Sequence, residues 1–70
     1  MSEFNASQIK QYDDWIAYHL AVIDGLKEQR DRISDKPAEQ RLTFETSIDA
    51  AIRSEHQAID ELKKVKAAYT

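Results

Sequence analysis

An all-α fold, an antiparallel two-helix hairpin of coiled-coil type, follows from three observations in this sequence. Apolar residues recur at three- and four-residue spacing along two long stretches, one proline separates the stretches, and the 70 residues contain a single glycine. A charged fraction of 33%, with Ala, Ile, Leu, Glu, Gln and Lys abundant, is the composition of long helices rather than of sheets or disordered tails.

The first stretch opens with a start signature. Asn5 stands as N-cap with Gln8 three residues later as its capping-box partner, and Phe4 before the cap is placed to staple onto Ile9. From there Ile9, Tyr12, Ile16, His19, Ile23, Leu26, Arg30 and Ile33 keep 3-4 spacing, while Trp15, Leu20 and Val22 broaden the stripe. Lys10, Gln11, Asp14, Asp24, Glu28 and Asp31 fill the opposite side. The pattern predicts a helix over about 6–34. Gly25 is the local dissent. Asp24-Gly25 in mid-stretch predicts either a turn, giving three short helices, or a close approach or slight bend within one helix. The stripe passes through it without a change of phase, which favours one helix.

The break falls at Ser34-Asp35-Lys36-Pro37, because proline disfavours a helical residue before it and suits the first turn of the next helix, with Asp35 or Lys36 capping. A second stripe runs through Phe44, Ile48, Ala51, Ile52, Ala58, Ile59, Leu62, Val65 and Tyr69. Lys63, Lys64 and Lys66 sit near its end, where cations favour the helix dipole. The second helix is expected over about 37–69, with the turn at 35–36 and residues 1–70 forming one domain. So short a joint makes the helices antiparallel. Ile23 then faces Ile48, Ile16 faces Ile59, and Phe4 meets Tyr69 at the open end.

Two helices make one layer of contact, and both stripes are broader than that layer covers. A chain this short rarely builds a core worth more than ~3–5 kcal/mol without a staple. With no cysteine, disulfides and thiolate metal sites are excluded. Oligomerisation is the remaining staple, so the expectation is a homodimer forming a four-helix bundle. The residues assigned to the core or dimer seam are Ile9, Tyr12, Ile16, His19, Leu20, Ile23, Leu26, Ile48, Ile52, Glu55, Ile59, Leu62 and Tyr69.

Function is expected to reside in surfaces rather than chemistry. Neither a glycine-rich phosphate loop nor a Glu-x-x-His pair occurs, the serines fit capping or solvated positions, and a bare hairpin is expected to offer no pocket of ligand size. The chain is therefore read as a non-enzyme with no metal and no cofactor. His19 and Glu55 occupy facing core positions and predict a hydrogen-bonded or ionic pair, read first as a polar layer that fixes register. A pH-sensitive contact is the sharper alternative. His56 and Asp60 share a polar flank at i, i+4 spacing, too few ligands for a metal.

Net charge is −3, with residues 1–35 carrying four basic and seven acidic side chains and residues 36–70 six of each. That balance exerts no overall pull toward nucleic acid or anionic membrane. Lys27, Arg30, Arg32, Lys36 and Arg41 gather near the joint, but Glu28, Asp31, Asp35 and Glu39 interleave with them, and Arg30 and Arg41 are placed to bracket Glu45. The longest apolar run is Leu20 to Ile23, too short for a membrane span or signal-peptide core, and the expected location is the cytoplasm. Tyr18 lies off the stripe beside Gln11 and Asp14, with Trp15 at its edge, and these four are the partner-binding candidates.

In size and layout the chain is similar to small dimeric helix-hairpin regulators, including plasmid copy-control RNA binders and phage-encoded inhibitors of host proteins. The likeness covers architecture and no motif. The leading expectation is a dimeric module that docks on a larger protein to inhibit, regulate or bridge it. An RNA-binding bundle and a scaffold part of a larger particle are the alternatives.

Overall fold

The computed structural model describes residues 3–69; the side chain of Phe4 lies outside the described set, and with it the expected staple to Ile9 and the meeting with Tyr69. Two 30-residue helices, α1 (Glu3–Arg32) and α2 (Ala38–Ala67), pack against each other as a hairpin, joined through a 3₁₀ turn at Ile33–Asp35. At 1.5 Å per residue each helix is about 45 Å long, and the Cα trace measures 55 × 16 × 10 Å.

α1 begins at Glu3, so Asn5 lies inside the helix and not at its cap. A first-turn carboxylate at Glu3 complements the positive end of the helix dipole, and asparagine in a helix interior costs only a fraction of a kcal/mol. The capping-box reading is corrected accordingly. α1 also runs unbroken through Gly25, whose φ is not positive. A Cβ built there meets nothing within 4 Å, so neither the turn nor the close approach is present.

At the joint, α1 tightens into the 3₁₀ turn, and the Lys36 amide donates to the Ile33 carbonyl at 3.0 Å. Lys36 is extended (φ −79°, ψ 156°), as clash with the following proline ring requires. Pro37 itself is the N-cap of α2, with no side-chain cap, and its carbonyl accepts from the Arg41 amide at 2.9 Å. Asp35 and Lys36 therefore do not cap α2 as expected: the ring forces an extended approach that leaves the proline as the half-in residue. The Arg41 guanidinium donates to the Ser34 carbonyl at 3.3 Å and strengthens the corner. α2 ends two residues earlier than expected. The amides of Ala68 and Tyr69 donate to the carbonyls of Val65 and Lys66, both at 3.0 Å, winding the last turn more tightly.

Among the described residues the buried hydrophobic side chains are Ile23, Ile48 and Ile59. Ile9, Tyr12, Ile16, Leu26, Ile52, Leu62 and Tyr69 are partly covered. Leu20, assigned to the core or seam, is 48% exposed. Seven-residue steps place it in line with Asp13 and Lys27, on the far side of the Ile16–Ile23 ridge from Trp15. Its spacing widened the stripe toward the charged side.

Candidate functional site

The two broad sides of the hairpin differ in chemistry. On one side, ion pairs cross between the helices: Asp13 with Lys66 at 2.6 Å and Arg30 with Asp49 at 2.5 Å. The step along α1 from Asp13 to Arg30 matches the step back along α2 from Lys66 to Asp49, so both bridges follow one antiparallel register. Arg41 pairs with Glu45 at 3.5 Å within α2. Arg30 thus reaches Asp49, and the expected bracketing of Glu45 by two arginines is corrected. One turn of α2 separates the two carboxylates, and Arg41 already occupies the nearer one.

The other side is nearly free of charge. On α1, Trp15, Val22 and Gln29 follow one another at seven-residue steps; on α2, Phe44, Ala51, Ala58 and Val65 do the same. A shallow groove of about 510 Å³ joins the two lines near the turn, lined by Leu26, Gln29, Arg32 and Ile33 of α1 and by Phe44, Ser47, Ile48 and Ala51 of α2. This contradicts the expectation that a bare hairpin has no concavity of ligand size. Small side chains at Ser47 and Ala51 leave space between Phe44 and the Leu26–Ile33 ridge. The small residues Ser47 and Ala51, one turn apart just after Phe44, were the sequence signal that marked it. Trp15, Phe44 and Val65 remain 45%, 51% and 44% exposed on this side.

At the open end the aromatic side chains cluster. Tyr12 lies edge-on to Trp15, with ring centres 5.3 Å apart and planes at 74°, and Tyr69 tilts against Tyr12 at 5.8 Å. The tight last turn of α2 carries Tyr69 to this position. Burial, then the hydrogen bond with Tyr69, then charge repulsion from a second phenolate raise the Tyr12 hydroxyl above the ordinary tyrosine value.

Between the two ends, His19 and Glu55 are brought together across the helices, Nδ1 donating to Oε2. Each side chain is 25% exposed, so the polar layer is partly sheltered and not sealed. Tyr18 stands against the His19 ring, centres 5.6 Å apart, yet is itself 66% exposed on the outer surface of α1. Gln11 and Asp14 are exposed nearby, and Asp14 is engaged by Lys10 at 3.0 Å. The four partner-binding candidates therefore divide. Tyr18, Gln11 and Asp14 belong to the outer edge, and Trp15 belongs to the apolar side.

The basic residues near the joint are largely matched by acids: besides the Arg30 and Arg41 pairs, Arg32 lies 4.0 Å from Glu28. Among the described residues no cluster of three or more His, Asp or Glu side chains is arranged to hold a metal ion, and no helix is long and apolar enough to cross a membrane. Comparison with protein families, with curated proteins and with solved structures finds no match to this chain.

Proposed function

We propose that this chain is a protein-interaction module without catalytic activity: a helical hairpin that pairs with a second copy and docks on a larger protein, which it inhibits, regulates or bridges. The observation that carries the reading is the imbalance between what the hairpin buries and what it leaves wet. Three isoleucines are buried among the described residues, whereas Trp15, Tyr18, Leu20, Leu42, Phe44 and Val65 are large hydrophobic side chains at 44% exposure or more. Covering a large apolar side chain is worth ~1.5–3 kcal/mol, so a surface presenting three of them on one nearly uncharged side favours a polypeptide partner.

The outer edge of α1 supports the second contact. Tyr18 offers stiff amphipathic area of the kind enriched in binding hot spots. Gly25 follows it at a seven-residue step on the same line, at a cost of ~1 kcal/mol in helix propensity that no contact within the chain explains. A backbone bare of side chain beside an exposed tyrosine suits close approach by another protein. Affinity capture with the wild type and with Tyr18→Ala tests this reading. A protein retained by the wild type and lost by the variant, with helix content unchanged, is the expected result. Equal retention by both, or retention by neither, rejects the docking edge.

A further inference from the structure

We infer that the partner covering the apolar side is a second copy of this chain packed turn to tail, with Trp15 of each copy seated in the groove near the turn of the other. This rests on the proposed pairing and specifies its geometry.

The extent of the side fits a second copy. At 55 by 16 Å it offers on the order of 900 Å², close to the ~800 Å² per partner of a standard stable interface. Its charge fits as well. The lines that carry Trp15 and Phe44 continue through Val22, Gln29, Ala51 and Ala58, all neutral, and Arg32 at the groove lies 4.0 Å from Glu28, so two identical surfaces meet with little like-charge repulsion.

Shape then chooses between the two symmetric ways of stacking hairpins with their helices aligned. With both turns at the same end, the two 510 Å³ grooves lie over each other and leave a large void. Such a void is destabilising, because the side chains that line it lose their packing contacts. With the turns at opposite ends, the projecting Trp15, backed by Tyr12, lies over the groove of the other copy. Val65 comes opposite Phe44, and Ala51 comes opposite Ala58 near the centre, where small side chains allow the closest approach. The symmetry is isologous, each copy giving and receiving the same contact.

A single cysteine placed by Lys36→Cys in this cysteine-free chain accepts a spin label at the turn. Turn-to-tail pairing predicts a label-to-label distance of roughly 50 Å, about 16 residues of helical rise on each side of the symmetry axis. A distance below about 20 Å means both turns share an end; it overturns this inference and leaves the pairing intact. Sedimentation as an 8.1 kDa species at micromolar concentration, with no dipolar coupling, overturns both and gives the surface to an unlike partner. As a second measurement, Trp15→Ala is expected to weaken pairing at least tenfold while the half-exposed position leaves hairpin helicity unchanged. Undiminished pairing in that variant rejects the seating of Trp15.

Discussion

His19 and Glu55 sit in the seam without being sealed, and that intermediate position sets what their removal does. Deleting one partner leaves a polar group in a mostly apolar layer, so His19→Ala or Glu55→Ala is expected to destabilise the fold by about 1–2 kcal/mol. A double-mutant cycle should return a coupling of about 1 kcal/mol, above that of an exposed pair and below that of a buried one. Replacing both by leucine removes the unmatched group and is expected to leave stability unchanged or raised, with looser register and oligomeric state seen by sedimentation. Tyr12 gives a second residue-scale prediction. Because the fold holds its proton more tightly than the unfolded chain does, its contribution is complete below about pH 10 and declines as pH rises through the elevated value. The denaturation midpoint should therefore fall in strongly alkaline solution, and Tyr12→Phe should flatten that decline. The His19–Glu55 pairing was legible because two polar residues interrupt facing apolar stripes. The tyrosine pair was not, since it depends on how tightly the last turn of α2 closes.

At the scale of the elements, Gly25 is the most informative position. A Cβ there has open space and an ordinary helical backbone, so Gly25→Ala is expected to stabilise the protein by ~1 kcal/mol, raising Tm by about 4–8 °C in calorimetry. A glycine kept for close approach within the chain would show the opposite sign. Stripe phase read through this residue correctly because periodicity reports the whole helix, whereas the Asp-Gly dipeptide reports only local preference. The ends were less legible. Asn5 carries every mark of a cap, yet the helix passes it, since the cost of an interior asparagine is smaller than the gain from extending a turn beneath Glu3. Pro37 marked the break faithfully, but whether it would be the cap or the first helical residue depends on the extended backbone at Lys36.

For the whole molecule, the governing fact is a thin seam between two long rods. A hairpin with three buried side chains among its described residues has little stability of its own, so stability should rise with protein concentration as mass action favours the proposed pair. A tenfold dilution should lower Tm measurably and move the emission of Trp15, the sole tryptophan, toward that of a solvated indole. A Tm independent of concentration would contradict the pairing. The breadth of the stripes announced an incomplete core in the sequence. Which flank is left open was hidden, because Trp15, Leu20 and Val22 all widen the pattern, and only the placement of the cross-helix ion pairs separates Leu20 from the other two.

The confinement of those ion pairs to a single side has an outcome for growth. In the proposed pair the surface carrying Trp15, Phe44 and Val65 is covered once, after which the ion-paired backs, with Leu20 as an isolated exposed leucine, face outward. A third copy would then meet no second apolar surface of that kind, so the proposed association is expected to stop at the pair and not run on into filaments.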